Sequence, residues 1–398
     1  MRRAAIVAPL RSPIGRFGGA LLPVPVERLG ATVANAVLDA TGLDPALVED
    51  VVFAQSYASS ETPCVGRWIA LEMGLPIDVP GMQLDRRCAG GLQAIATAAM
   101  MVQTGVCDVV LAGGVESMSN IEYYSVDARW GKRAGNFTMY DRLDRGRERS
   151  QPEHRFGHIS GMVETAENLA KDFDISREAA DSFAARSQQN AAAAWDAGKL
   201  AEEVVPIAVP RKRGDPVIVD RDEGIRADTT PESLARLRPV MTGGTVTAGN
   251  ASQQNDAASA CLVVAEDRLA DLGLVPLAFL RGWAAAGCDP SRMGLGPVPS
   301  SARALDRAGL SLSEMDLIEV NEAFAPVPLA WLADTGADER RLNPLGGAIA
   351  LGHPLGASGA VLMTRMIHHM RDNGIRYGLQ TMCEGGGTAN ATLVELVA

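Results

Sequence analysis

Apolar positions in this chain alternate between two patterns. Short continuous runs such as Asp50-Val51-Val52-Phe53, Asp108-Val109-Val110-Leu111-Ala112-Gly113-Gly114 and Asp316-Leu317-Ile318-Glu319-Val320 read as buried strands, and longer segments with helical periodicity separate them. Two distant segments repeat one order. Leu38-Asp39-Ala40-Thr41-Gly42-Leu43 before the strand at 50–53 matches Leu305-Asp306-Arg307-Ala308-Gly309-Leu310 before the strand at 316–320, each a helix, a glycine stop, a loop and a strand. The match continues: Gly90 to Gly105 and Gly359 to Gly374 enclose helices of equal length, followed by the strands at 108–114 and 378–383. The pattern predicts an internal duplication of an α/β unit, with layered sheets and helices between and outside them.

Between the halves the character changes. Residues 121–246 carry aromatic and basic clusters, an amphipathic helical stretch from Glu164 to Trp195 and the polar run Arg211-Lys212-Arg213, and read as an inserted loop domain. The expected division is an N-terminal half at 1–120 with 247–272, the loop domain at 121–246, and a C-terminal half at 273–398.

Composition narrows the class without naming a function. The 398 residues are 47% hydrophobic and 21% charged, ordinary for a globular protein, and a net charge of −11 argues against a general nucleic-acid or membrane surface. The apolar run after Arg2 and Arg3 is cut short by Pro9 and Arg11, so a first strand is expected there rather than a signal peptide. No stretch approaches the ~20 apolar residues of a spanning helix, and the expectation is a cytoplasmic protein. Six cysteines without CxxC spacing fit reduced thiols and no metal site.

Candidate chemistry gathers at four places. Cys88 stands where Asp85-Arg86-Arg87 gives way to an apolar helix, and a helix N-terminus with two nearby arginines favours a thiolate. His353 lies in the glycine-rich turn Gly352-His353-Pro354-Leu355-Gly356-Ala357-Ser358-Gly359. Cys383-Glu384-Gly385-Gly386-Gly387 ends a strand with backbone N–H groups able to face an oxyanion, and Asn321-Glu322-Ala323-Phe324 places an amide and a carboxylate at another strand end.

Together, in order and spacing, these segments resemble the thiolase family of acyl-CoA acyltransferases, as do Ala112-Gly113-Gly114-Val115-Glu116-Ser117 and Ala248-Gly249-Asn250-Ala251-Ser252. The resemblance covers essentially the whole chain. It implies the thiolase fold, with duplicated βαβαβαββ halves forming a five-layered αβαβα core. It also implies thiolytic cleavage of a 3-oxoacyl-CoA with CoA, or the reverse Claisen condensation. In that chemistry Cys88 is the nucleophile, His353 its base and Cys383 the second acid/base. One oxyanion hole is implied at His353 with a water held by Asn321, the other at the N–H groups of Cys88 and Gly385. Ser252 is implied along the pantetheine, Met162 and Phe324 in the acyl pocket, and Arg226 at the nucleotide end. Coenzyme A and acyl-CoA are then substrates, with no permanently bound cofactor, no metal, and a homodimer or homotetramer as the assembly. Two other readings stay open: a decarboxylating 3-oxoacyl synthase of the same superfamily, and a non-catalytic acyl-CoA or lipid-binding protein on the same scaffold.

Overall fold

The computed structural model describes residues 2–397; Met1 and Ala398, the outer ends of the two expected halves, lie outside the described residues. The N-terminal unit runs β1 (Ala4–Arg11), α1 (Val26–Thr41), β2 (Asp50–Ala54), α2 (Val65–Glu72), β3 (Gly81–Leu84), α3 (Gly90–Thr104) and β4 (Val109–Ser117). After the inserted segment, with helices α4 (Met162–Asp172) and α5 (Arg177–Asp196), the chain returns as β5 (Asn255–Ala265). The second unit repeats the plan: β6 (Ala278–Gly287), α6 (Pro297–Ala308), β7 (Leu317–Val320), α7 (Pro326–Thr335), α8 (Leu355–Asn373), β8 (Tyr377–Glu384) and β9 (Thr388–Leu396).

Strand order makes the duplication explicit. The first unit lies β3-β2-β4-β5-β1, with β5 antiparallel to both neighbours. The second lies β7-β8-β9-β6 with β9 antiparallel to both neighbours. The counterpart of β3 has shrunk to a single parallel bridge between Ile318 and Leu342. The units join edge to edge where Ala5 and Ile6 of β1 pair with Phe279 and Ala278 of β6, so one sheet runs through the molecule.

The layers follow from burial. Helices α1 and α2 cover the outer face of the first unit through Leu29, Val33, Val37 and Ile69. Trp331 of α7 and Leu305 of α6 anchor the outer face of the second. Between the two sheet regions lie α3 and α8, whose Leu92, Ile95, Met363 and Met366 share one core with Val110 and Val394. This is the expected αβαβα stack, and it brings the N-terminal ends of both middle helices to one place. Glycine permits their contact: a Cβ on Gly359 would sit 2.3 Å from the Leu92 nitrogen, and one on Gly91 2.8 Å from that of Ala360.

Two local expectations are corrected. The helical stretch at 164–195 is two helices, because Asp174 turns left-handed (φ 51) and the Ser176 hydroxyl caps a new helix by accepting from the Ala179 N–H. The middle helices are unequal: α8 begins directly after Pro354 and has 19 residues against 15 in α3. Gly356 and Gly359 therefore lie inside its first turns, serving close approach rather than a turn. The run 211–213 is exposed beside the hairpin of Ile207–Val209 and Val217–Val219, as a solvated decoration should be.

Candidate active site

Each expected chemical group is set by a local backbone device. Before Cys88, the Asp85 carboxylate accepts the Arg87 N–H at 2.7 Å, Arg87 adopts φ 46, and a 3-10 turn over Arg87–Ala89 leads into α3. A left-handed non-glycine residue costs roughly 1–2 kcal/mol. The Ser56 hydroxyl helps to hold it by donating to the Arg87 carbonyl at 2.7 Å. The strain lifts Cys88 out of the helix proper, so its sulfur opens on a cavity.

His353 is fixed from both sides. Its N–H donates to Asn255 Oδ1 at 2.9 Å, and Asn255 donates in turn to the Gly15 carbonyl at 3.0 Å. Gly352 before it has φ 115 and leaves no room for a side chain, since a Cβ there would lie 2.3 Å from Asn255. The imidazole Nδ1 is 2.7 Å from Ser358 Oγ, while Nε2 is buried with no protein hydrogen-bond partner. A buried ring nitrogen left unpaired is costly unless something else uses it.

Cys383 is buried near the end of β8, and Gly386 (φ 95) and Gly387 (φ 78) complete the turn to β9. That turn brings the Gly385 N–H near enough to the Cys88 sulfur to favour its thiolate. Asn321 follows β7 fully buried, and neither its Nδ2 nor its Oδ1 has a partner.

One cavity of about 400 Å³ collects most of these groups: Cys88, His353, Cys383, Met162, Ser252 and Phe324 all line it. Ser252 and Phe324 are placed by main-chain pairing, the Ser252 N–H donating to the Ala323 carbonyl at 3.0 Å and Ala251 bridging Phe324. Gly385 lines a narrower opening that also borders Cys88. Asn321 does not line the cavity itself, whereas Ala323, whose N–H donates to the Asn321 carbonyl at 3.0 Å, does. Arg226 stands apart: it is exposed, lines none of these openings, and its backbone is tied to Gln188 and Thr229.

The electrostatics reverse one expectation. Burial, followed by the charge of Glu384, pushes the Cys88 thiol up to about 12, outweighing the Gly385 N–H and Arg87, which favour the thiolate. Burial, with Cys88 as neighbour, likewise lifts Cys383 well above its ordinary value. The helix terminus and arginines thus do not hold a standing thiolate in a site this enclosed. His353 moves to match. Burial and then Arg147 lower it to about 4, leaving a neutral imidazole able to accept a proton at pH 7.

Several supporting residues carried no assigned role in the sequence reading. Ser358 sits five residues after His353, a spacing that meaning attaches to only once α8 is known to begin at Leu355. Glu116 accepts the N–H groups of Ser56, Tyr57 and Gly356, pinning the start of α8 to the first unit. Glu322 accepts from Ser187, Asn343 and the Ile349 N–H, bracing the segment before His353. Among the described residues no cluster of three or more His, Cys, Asp or Glu is placed to hold a metal ion, and no helix is long and apolar enough to cross a membrane.

Comparison with known proteins identifies the family. Residues 4–267 match the family model "Thiolase, N-terminal domain" and residues 274–396 match "Thiolase, C-terminal domain". An acetyl-CoA acetyltransferase of Chromobacterium violaceum is 42% identical over 393 residues, covering 98% of this chain and 99% of that protein. The crystal structure of the Bacillus anthracis acetyl-CoA acetyltransferase superposes with a TM-score of 0.96 at 38% identity, covering 100% of this chain and 99% of that one. Human mitochondrial 3-ketoacyl-CoA thiolase in complex with CoA superposes with a TM-score of 0.93 at 38% identity, covering 100% of this chain and 98% of that one.

Proposed function

The chain belongs to the thiolase family, and from that premise we propose that it is an acyl-CoA C-acetyltransferase working through an acyl-enzyme on Cys88. The observation that carries this reading is the convergence of Cys88, His353 and Cys383 on one cavity. In thiolysis the His353 Nδ1–H donates to Ser358, and the Nε2 lone pair takes the Cys88 proton as the sulfur attacks the 3-oxo carbon. The bond between carbons 2 and 3 breaks, its electron pair passes to the acetyl-CoA enolate, and the Cys383 thiol protonates carbon 2. A second CoA then gives its proton to the Cys383 thiolate and attacks the thioester. Cys88 leaves and recovers its proton from the His353 imidazolium, so the cycle closes. Condensation is the reverse.

The raised thiol values suit such a cycle, because the proton moves only when substrate is present to receive the sulfur. The N–H groups of Cys88 and Gly385 stabilise the oxyanion on the acyl carbon. His353 Nε2, with a water held by Asn321, stabilises the enolate oxygen. Ser252 lies along the pantetheine and Met162 and Phe324 line the acyl end. Arg226, exposed at the surface, is kept only for the nucleotide end. The loop domain at 121–246 supplies Met162 and Arg226 to these coenzyme A contacts, together with those of a homodimer or homotetramer, and the enzyme works in the cytoplasm.

A decarboxylating synthase pairs one cysteine with two histidines, whereas among the described residues His353 is the one histidine lining the cavity. His368 is instead bonded to the Pro9 carbonyl and His369 to Asn373. The decisive assay supplies acetoacetyl-CoA or a longer 3-oxoacyl-CoA with free CoA and measures acetyl-CoA. Absence of turnover across the series sinks the proposal. Mass spectrometry of the substrate-treated protein should show an acyl adduct that Cys88→Ala abolishes; an undiminished adduct would move the nucleophile elsewhere.

A further inference from the structure

A second opening borders the nucleophile. Its neck, about 60 Å³, touches Cys88 and Gly385 and is walled by Tyr57, Gly146 and Leu355. The neck shares Ser56, Tyr57, Arg87 and Gly146 with a wider basin of about 500 Å³. This basin carries Arg87, Arg142, Arg145 and Arg149 against only Asp85 and Glu122.

Both carboxylates are already engaged. Glu122 accepts from Arg142, the Ser59 hydroxyl and the Ser60 N–H, and Asp85 accepts the Arg87 N–H. Arg142 is consumed by that pair and by the Ala58 carbonyl. Arg87, Arg145 and Arg149 form no ion pair among the described residues. Arg145 is held in place rather than free to swing: its guanidinium lies 3.5 Å from the Tyr140 ring centroid and 5.6 Å from that of Tyr124. Its Nη1 is buried without a hydrogen-bond partner. A protein of net charge −11 thus keeps an uncompensated positive cluster beside its nucleophile.

The position of the cluster selects the anion. Arg87 directly precedes Cys88, so a charge in the basin sits within a short chain's reach of the acylated sulfur. The phosphates of coenzyme A are separated from the reacting thiol by the whole pantetheine arm. In thiolysis the carbons beyond the 3-oxo group stay on Cys88 while acetyl-CoA departs; past Met162, which lines both openings, the neck is the route by which their far end reaches the basin. We propose that the substrate is a short 3-oxoacyl-CoA with a carboxylate at the far end of its acyl chain, bound there by Arg145 and Arg149. Thiolysis then yields acetyl-CoA and the CoA ester of a dicarboxylic acid two carbons shorter. This rests on the thiolase reading above. A neutral chain end leaves the Arg145 guanidinium unmatched, and sites built to bind a polar group discriminate strongly against analogues lacking it.

The test compares 3-oxohexanedioyl-CoA with 3-oxohexanoyl-CoA, which differ only in a terminal carboxylate or methyl. The wild-type enzyme should show kcat/KM higher for the carboxylated ester by roughly tenfold or more. Arg145→Gln and Arg149→Gln should each reduce that ratio, chiefly through KM for the carboxylated ester, and added salt should erode it in the wild type. Arg149 is exposed, so its variant keeps the test sound if the other misfolds. Equal turnover of the two esters, or a preference that neither substitution alters, overturns the inference and leaves the thiolase reading standing. No thiolysis of either ester overturns the inference, and the thiolase reading falls with it only if acetoacetyl-CoA is not cleaved either.

Discussion

His353 must be uncharged before it accepts a proton and correctly turned when it does. Burial and Arg147 secure the first by lowering it to about 4. The second rests on Ser358, whose hydroxyl lies 2.7 Å from Nδ1 and fixes which nitrogen faces the cavity. Removing that hydroxyl deletes one hydrogen bond to a group that becomes charged during the reaction, an interaction worth roughly 1.5–3 kcal/mol. Ser358→Ala should therefore lower kcat by about tenfold or more with little change in KM for CoA. Ser358→Thr, which keeps the hydroxyl, should recover part of the loss. Steady-state thiolysis kinetics check this, and an unchanged kcat in the alanine variant would mean that the backbone alone orients the ring. Cys88 teaches the complementary point: its arginine neighbours are visible in sequence, but the enclosure that overrides them is not.

The two middle helices carry the site because their N-termini meet over β4. The contact is backbone on backbone: a Cβ on Gly114 would lie 2.1 Å from the Gly356 carbonyl oxygen and 3.1 Å from the Ala357 Cα. No flexible side chain is available to yield there. Gly114→Ala should cost at least the ~1–3 kcal/mol typical of an overpacked core. It should also lower activity beyond the stability loss, because displacing the start of α8 displaces His353. Urea unfolding monitored beside thiolysis separates the two effects; a variant of wild-type stability would show the contact to be slack. The strands and the duplication were legible because continuous apolar runs and glycine stops report local geometry. Less legible were features set by distant partners. The counterpart of β3 collapses to one bridge at Leu342, the break at Asp174 leaves the apolar rhythm of 164–195 uninterrupted, and the links of Glu116 to Gly356 and of Arg145 to Tyr140 join residues that no spacing connects.

At the scale of the molecule, enclosing so much polar machinery sets the pH at which the fold is most stable. Burial raises Glu116 and Glu384 to about 7 and Glu319 to about 8, from an ordinary 4.5. Between those values the folded chain binds protons that the unfolded chain has released, so each carboxyl's contribution is present at low pH and lost as pH rises through its folded value. His353 acts in the opposite sense. Its folded value of about 4 lies below the ordinary 6.5, so its contribution is lost as pH falls between the two. Above pH 6.5 the imidazole no longer counts, while the raised carboxyls still do. The net charge of −11 at pH 7 adds self-repulsion that grows in the same direction. Tm at fixed ionic strength should therefore fall between pH 6.5 and pH 8.5. Glu319 offers the sharpest control, since its Oε2 is buried without a hydrogen-bond partner and Arg365 is the nearby charge that favours its ionised form. Glu319→Gln cannot ionise, so its Tm should decline less steeply over that range; a wild-type Tm that is flat or rising there would show that these carboxyls are not protonated in the fold.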